Sequence, residues 1–302
     1  MNMKLRYANN FSFAKVPFYD EKINYEKIDI GIIGIPFDSG CSYRSGSRFA
    51  PSSIRTNSCI LREYNIKMDV YPFKKNIIDF ADINVAPFNN VEAVEIMEVE
   101  LDNILKKTDK YIILGGDHTI SYPSLKAINK KFGKVSIIHF DSHLDTFDDH
   151  FGSKITHGTP FKRSVDENLL NENKFHIGLR GSTYSKEDLI NDKNLGFHIY
   201  PCDYIDNHSI SSMINEIKEK IGDTKVYISI DIDVIDPAYA PGTGTPEVGG
   251  FSSREFINIL RMLKGLDIVG ADIVEVSPSY DNNANITSLL AASLCYELLC
   301  II

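Results

Sequence analysis

The segment HFDSHLD, residues 139–145, places an acidic or imidazole side chain at every second position. It follows VSII, an apolar and largely β-branched run that is typical of a buried strand. Residues two apart on an extended chain point to the same side, so these polar groups share one face at the mouth of the strand. The four side chains are those of His139, Asp141, His143 and Asp145.

A second segment repeats the pattern. SIDIDVID, residues 229–236, continues the apolar run KVYI and carries Asp231 and Asp233 two positions apart. Together with Asp141 and Asp145, these residues bring four negative charges to strand ends. An unpaired buried carboxylate costs several kcal/mol even after relaxation, so a cation must offset this charge. Two divalent metal ions would balance it.

Two histidines complete a candidate coordination set. His118 ends GGDH, residues 115–118, and His143 lies between two of the aspartates. Oxygen-rich ligation with imidazole nitrogen and no thiolate favours a harder ion such as Mn²⁺ over a structural zinc site. Two such ions can share a bridging water and lower its pKa, which gives a hydroxide nucleophile at neutral pH. The sequence therefore predicts a centre of two Mn²⁺ ions.

Each motif has a second interpretation when it is taken alone. A lone D-x-D is more often a turn or a solvated strand end, and GGDH alone is typical of a helix cap. The occurrence of all three motifs after strands of one chain favours the metal site. His139 precedes its strand end, so we expect it to support a ligand or to pack in the core.

Two further residues have open assignments. His157 opens HGTPF after the loop 146–156. A loop histidine is usually solvated, but an imidazole beside metal ions is also suited to shuttle protons. Glu275 lies in the apolar run IVEV, where a buried carboxylate needs a partner. That partner is either a structural arginine or a cationic substrate.

The chain alternates short apolar runs with longer amphipathic stretches, which predicts βαβ units and a mainly parallel sheet covered by helices. We expect one domain, 1–302, with an N-terminal extension, 1–25, at a subunit contact. Ligands of such sheets lie beyond the carboxyl ends of the strands, where the motifs occur. The predicted strands are 28–35, 76–83, 111–116, 135–140, 175–180, 197–201, 225–231 and 266–275. The predicted helices are 51–63, 91–108, 119–132, 184–193, 208–222, 252–266 and 285–302.

Charge and cysteine content narrow the class of protein. The formal net charge is −9, from 32 Lys and Arg against 41 Asp and Glu. Nucleic acids and anionic membranes require basic patches, so this balance argues against both as partners and suits a small cationic ligand. Five cysteines without a C-x-x-C pair predict reduced thiols, and no segment has the length of a membrane span. We expect a cytoplasmic protein.

The ordered motifs GGDH, D-x-H-x-D, HG and the string from Asp231 to Gly250 resemble the ureohydrolases, which include arginase, agmatinase and their relatives. The resemblance implies a three-layer α/β/α sandwich with a mostly parallel, eight-stranded sheet and two Mn²⁺ ions per subunit. It implies that His157 is the catalytic histidine and that Glu275 holds the substrate guanidinium. Homotrimers or homohexamers are implied as well. The implied metal ligands are His118, Asp141, His143, Asp145, Asp231 and Asp233.

The resemblance is greatest to agmatinases. Arginases carry acids that contact the α-amino group where this chain has Gly181 and Thr183, in IGLRGST. The loop 146–156 is expected to meet the substrate tail, with Asp148 and Asp149 suited to an amine and Lys154 suited to a carboxylate. Where the family usually has alanine, this chain has Ser142, whose side chain we expect to point away from the ligands.

These features predict an agmatinase-like hydrolase that cleaves agmatine to putrescine and urea, a step of polyamine biosynthesis. In this hypothesis Asp145 relays a proton to the leaving amine and His157 exchanges protons with solvent. A 4-guanidinobutyrase, or another guanidino-compound hydrolase, is the alternative. A two-metal phosphoesterase and a metal-retaining module without turnover are the remaining rivals, although no convincing phosphate-binding cations are present.

Overall fold

The computed structural model describes residues 5, 6, 8 and 11–302. Residues 1–4, 7, 9 and 10 of the predicted extension 1–25 lie outside the described residues. Two residues of the extension contact the main body of the same chain. Phe13 is fully buried, its backbone N–H donates to Asp79 Oδ2 at 2.8 Å, and Phe18 forms a parallel bridge with Asp79.

All neighbouring strands of the sheet are parallel, in the order β2-β1-β3-β8-β7-β4-β5-β6. The predicted eight-stranded sheet is thus confirmed. Central strands such as VSIIHF are buried along their whole length because helices cover both faces, which explains their continuous apolar runs. The strands are β1 (Ile30–Gly34), β2 (Ile77–Asp82), β3 (Lys110–Leu114), β4 (Val135–Phe140), β5 (Leu170–Leu179), β6 (Phe197–Pro201), β7 (Lys225–Asp231) and β8 (Asp267–Val274).

The helices form two layers, one on each face of the sheet. The first five helices are α1 (Ala50–Asn57), α2 (Asn90–Leu105), α3 (Ser121–Phe132), α4 (Pro160–Asp166) and α5 (Lys186–Asn194). The others are α6 (Tyr204–Asn207), α7 (Ile210–Ile221), α8 (Ser253–Met262) and α9 (Ile286–Ile301). Apolar residues of α2, α3 and α4 pack in one buried cluster, and those of α1, α7, α8 and α9 pack in another. This is the predicted three-layer α/β/α sandwich.

Several element boundaries differ from the prediction. The sequence pattern did not predict α4 and α6, because seven and four residues are too few to show a helical period. Strand β5 begins at Leu170 rather than 175, since the polar stretch LNENK pairs with the start of β4. Helix α9 is buried on nearly all sides, as expected of a packed terminal helix. Among the described residues, no helix has the length and apolar content to cross a bilayer.

Candidate metal centre and substrate cavity

The ends of β4 and β7 bring the two aspartate motifs together. The strands pair in parallel, with Phe140 opposite Ile230, so Asp141 and Asp231 leave the sheet side by side. The backbone N–H of Ser142 then donates to Asp233 Oδ1 at 3.1 Å and ties the two segments to each other. The spacing seen in the sequence thus becomes one cluster at the carboxyl edge of the sheet.

One group of carboxylates surrounds His118, which is fully buried. Its Nδ1 atom lies 3.2 Å from Asp141 Oδ2, 3.0 Å from Asp145 Oδ2 and 3.2 Å from Asp231 Oδ2. None of these contacts has hydrogen-bond geometry, so Nδ1 is a buried atom without a partner. Three carboxylate oxygens around one ring nitrogen form a donor set that fits a divalent cation.

The other ring nitrogen of His118 sets the tautomer of the ring. Nε2 lies 2.8 Å from Ser229 Oγ, and Ser229 donates its hydroxyl proton to Asp272 Oδ1 at 2.6 Å. Ser229 therefore accepts from Nε2–H, and a neutral His118 presents the lone pair of Nδ1 to the carboxylates. A ligating histidine commonly has such an outer partner.

A second group of candidate metal ligands, around His143, lies beside the group around His118. His143 Nδ1 is 3.1 Å from Asp233 Oδ2 and 3.3 Å from Asp141 Oδ1. Asp141 thus directs one oxygen to each group. Asp233 Oδ2 is buried without a hydrogen-bond partner, as expected of an atom arranged to ligate a cation.

Ser142 differs from the expectation. Its hydroxyl group does not point away from the ligands but donates to Asp233 Oδ1 at 2.7 Å. The residue follows the end of β4, where the chain leaves the extended conformation and the two-residue alternation no longer applies. Ser142 thus occupies one oxygen of Asp233 and leaves the other oxygen free.

The electrostatics of the two groups show an excess of negative charge. Burial raises the pKa of Asp231 well above its usual value, and the neighbouring Asp233 and Asp141 raise it further. Burial and Asp141 also raise the pKa of Asp145. Burial lowers the pKa of His118, but the carboxylates around it outweigh burial and hold that pKa well above its usual value. Without cations, the cluster must therefore take up protons.

His139 supports Asp141 rather than joining the groups through a free nitrogen. Its Nε2 atom lies 2.8 Å from Asp141 Oδ2, and its Nδ1 atom lies 2.6 Å from His176 Nδ1. Both histidines are fully buried. This agrees with the expectation that His139 supports a ligand.

His157 and Glu275 form a buried pair next to the first group. His157 Nδ1 lies 3.1 Å from Glu275 Oε1, which also accepts the backbone N–H of His118 at 3.0 Å. Glu275 thus contacts a histidine instead of a structural arginine, and its Oε2 has no hydrogen-bond partner among the described residues. Burial lowers the pKa of His157, but Glu275 outweighs burial and raises it to about 9.

Two of these residues have strained backbones. Asp145 and Glu275 adopt φ values of 54° and 60°, in the left-handed region that side chains other than glycine rarely occupy. Such strain persists only where the surroundings impose it, and it is concentrated at functional sites. Neither conformation could be predicted from the residue types.

Ser42 is a contact that the sequence interpretation missed. Its Oγ atom lies 2.7 Å from His157 Nε2, and it lines the same cavity. The backbone N–H of Gly40 donates to Asp117 Oδ2 at 2.7 Å and holds this loop in place. Ser42 and His157 are 115 positions apart, so no local motif signals the contact.

Two arginines that follow Ser42 in the sequence form ion pairs with aspartates. Arg48 pairs with Asp38, and buried Arg55 donates to both oxygens of Asp79 at 2.8 Å.

A cavity of about 270 Å³ opens above the two groups. Its base includes His143, Asp145, His157 and Asp231. Thr245, from the segment PGTGTPEVGG (241–250), lines it as well. The cavity has the polar base and the size that suit a small ligand.

The outer wall of the cavity is aromatic and hydroxylic. The ring of Phe147 stacks on His150 at 5.3 Å and meets the edge of Tyr184 at 5.6 Å. Ser182 and Thr183 complete this wall.

The loop 146–156 reaches the cavity, but not through the residues that were predicted to meet the substrate tail. Asp148 is turned away from the cavity and pairs with Arg163, with Lys162 at 3.7 Å. Asp149 Oδ1 accepts the N–H of Gly152 at 2.8 Å within a turn. Neither aspartate lines the cavity, and Lys154 does not line it either. The loop reaches the cavity through Phe147 and His150 instead, because it folds outward after Phe147.

The chain has many relatives of known name. The arginase family model matches residues 28–300. A guanidinobutyrase from Pseudomonas aeruginosa is 43% identical over 299 residues, with 98% of this chain and 93% of the relative covered. A mitochondrial agmatinase from Gallus gallus is 42% identical, with 92% of this chain and 82% of the relative covered.

The solved structures agree with this relationship. Proclavaminate amidino hydrolase from Streptomyces clavuligerus superposes with a TM-score of 0.93 at 36% identity, and the match covers 98% of each chain. The predicted resemblance to the ureohydrolases is confirmed. The chain belongs to the arginase family and is a hydrolase of guanidino compounds.

Proposed function

We propose that this chain hydrolyses a small guanidino carboxylate, represented by 4-guanidinobutyrate, to urea and an amino acid. The observation that carries the proposal is the chemistry of the cavity wall. Among the described residues that line the cavity, the only carboxylates are Asp145 and Asp231, which belong to the candidate metal groups. A substrate with an ammonium tail would find no counter-ion there, whereas a carboxylate would meet no repulsion from the outer wall.

The outer wall offers hydrogen-bond donors that suit such a tail. Among the described residues, the hydroxyl groups of Ser182 and Tyr184 and the backbone N–H groups of residues 182–184 make no hydrogen bond within the chain. Arg180 also lines the cavity, although its guanidinium already donates to backbone carbonyls, including that of Glu247 at 2.7 Å. The guanidinobutyrase relative adds support from the comparison of sequences.

The residues present fit two divalent ions, for which we propose Mn²⁺ because the donors are carboxylate oxygens and imidazole nitrogens. When bound, the ions supply Lewis acidity and activate a water for attack on the guanidino carbon. One ion would be held at the group around His118 and the other at the group around His143, with Asp141 common to both. The proposed ligands are His118, Asp141, His143, Asp145, Asp231 and Asp233.

The chain's own residues bind the guanidinium and move protons. Glu275 would accept guanidinium N–H groups at Oε2, since Oε1 is already occupied by His118 N–H and His157. Asp145, which lines the base of the cavity, would relay a proton to the leaving amine. Glu275 raises the pKa of His157 to about 9, and the outer nitrogen of His157 lies 2.7 Å from Ser42 Oγ, where protons would exchange with solvent. The C–N bond breaks as water adds its oxygen to carbon and its protons to nitrogen.

Agmatine is the second candidate substrate, with putrescine as a product and a place in polyamine synthesis. It is favoured by the agmatinase relative, whose identity of 42% is close to that of the guanidinobutyrase. The outward orientation of Asp148 weighs against it, because the carboxylate expected to meet the amine is paired with Arg163.

The test is the initial rate of urea release by Mn²⁺-loaded protein with 4-guanidinobutyrate, agmatine and arginine in parallel. We expect kcat/KM for 4-guanidinobutyrate to exceed that for agmatine at least tenfold, which corresponds to about 1.4 kcal/mol. The reverse order would replace the proposed substrate by agmatine. No urea from any of the three compounds would overturn the proposed substrate class.

We also propose a single ureohydrolase domain that assembles as a homotrimer or homohexamer in the cytoplasm. The family match, which runs from residue 28 to 300, supports one domain. All five cysteines are free, which supports a reducing compartment. Sedimentation of the purified protein would test the assembly.

A further inference from the structure

A buried hydrogen-bond network leads from Asp141 across the sheet to helix α5. His139 Nε2 lies 2.8 Å from Asp141 Oδ2, and His139 Nδ1 lies 2.6 Å from His176 Nδ1. His176 Nε2 lies 3.0 Å from Asp192 Oδ1. His139 and His176 are direct partners in the pairing of β4 with β5, and all four side chains of the network are buried.

The protons in the hydrogen bonds of this network can be counted. Each of its three contacts needs one proton, and an ionised carboxylate at either end can only accept. Two neutral imidazoles provide two protons, so the network must hold one more. Thr146 donates its hydroxyl proton to Asp192 Oδ1 at 2.8 Å, which identifies that oxygen as an acceptor. The additional proton is held within this network, so the two imidazoles and the two carboxylates are linked as one unit.

We propose that Asp192 and His176 are positioning residues for Asp141, the carboxylate common to both metal groups. Asp192 orients the ring of His176, and His176 in turn orients His139 so that its Nε2 atom faces Asp141 Oδ2. The inference goes beyond the proposed substrate, because it concerns how one ligand is oriented for cations. Outer partners of this kind commonly change metal affinity 10- to 100-fold when they are removed.

The packing around His176 separates this role from simple support of the fold. The ring of His176 stacks on Phe197 with centroids 4.0 Å apart and planes 8° apart, so the ring plane is already held by an aromatic contact. Asp192 is not needed to keep the ring in place. Its contribution is the direction of the hydrogen bonds, which aromatic packing does not control.

The first experiment measures Mn²⁺ binding to His176→Phe, which keeps the aromatic stacking and removes both ring nitrogens. We expect the dissociation constant to rise 10- to 100-fold. The matched control is Ser136→Ala on the same strand, β4. It deletes a buried hydrogen bond to Thr224 Oγ1, 2.7 Å away, at the end far from the metal groups. We expect the control to bind Mn²⁺ as the wild type does. A His176→Phe constant within twofold of the wild type would overturn the proposal.

The second experiment uses a substitution that keeps the size of the buried side chain. It compares the ¹⁵N NMR ring signals of His139 and His176 in histidine-labelled, metal-free wild type and Asp192→Asn. In Asp192→Asn, the ring signals of both His176 and His139 are expected to shift, because hydrogen bonds join the two rings to Asp192. Ring signals of His139 that stay unchanged in Asp192→Asn would contradict the proposal. Neither experiment uses turnover, so a failure of the proposed substrate leaves this inference testable.

Discussion

Asp141 faces His143 through Oδ1, at 3.3 Å, and keeps its second oxygen for the separate group around His118. One side chain therefore serves two candidate cation positions. The Asp233 carboxylate, by contrast, directs its free oxygen to His143, at 3.1 Å, and no oxygen to His118. This asymmetry makes the two carboxylates unequal and leads to a first prediction.

Asp141→Asn is expected to lose both metal ions, whereas Asp233→Asn is expected to lose one. The reason is that the amide removes a charge from both groups in the first variant and from one group in the second. Metal content per chain after dialysis, measured by inductively coupled plasma mass spectrometry, checks this. Equal metal loss in the two variants would contradict the assignment of Asp141 as the shared ligand.

Glu275→Gln is expected to weaken transition-state binding of the guanidinium while it leaves metal content unchanged. Loss of one partner of a buried charge pair costs about 2–5 kcal/mol, so kcat/KM should fall at least about 30-fold. Steady-state kinetics with the preferred guanidino compound measure the effect. Metal content serves as the control, because Glu275 contacts His118 only through the backbone N–H of that residue. A kcat/KM near the wild-type value would exclude Glu275 as the guanidinium partner.

Metal binding is expected to release protons and to become tighter as pH rises. In the metal-free protein, burial and like charges raise the pKa of Asp231, and the carboxylates outweigh burial to raise the pKa values of His118 and His143. Cations must displace the protons that these groups hold, so lower pH favours the proton-bound form. Calorimetric titration in two buffers of different ionisation enthalpy counts the released protons. Binding without proton release would contradict the proposed ligands.

The residue pattern predicted the metal groups because all their members follow buried strands of one parallel sheet. Asp141 and Asp231 could be placed together from two features alone, the two-residue alternation and the rule that strand ends share an edge. The pairing of Ser42 with His157 could not be predicted, since it joins two loops far apart in sequence. The side on which Asp148 lies depends on how its loop folds around Phe147, and no local pattern reports that.

Asp148→Asn is expected to leave kcat/KM within about twofold of the wild type for both agmatine and 4-guanidinobutyrate. The side chain is 61% exposed and pairs with Arg163 outside the cavity, so its charge does not reach the substrate tail. Parallel kinetics with the two substrates measure the effect. A selective loss of agmatine turnover would restore the interpretation that this loop binds the amine.

Anomalous diffraction from crystals grown with Mn²⁺ tests the central claim most directly. The account predicts two peaks per chain, one among His118, Asp145 and Asp231 and one between His143 and Asp233, with Asp141 in contact with both. A single peak, or peaks away from these side chains, would contradict the two-metal centre on which the proposed hydrolysis depends.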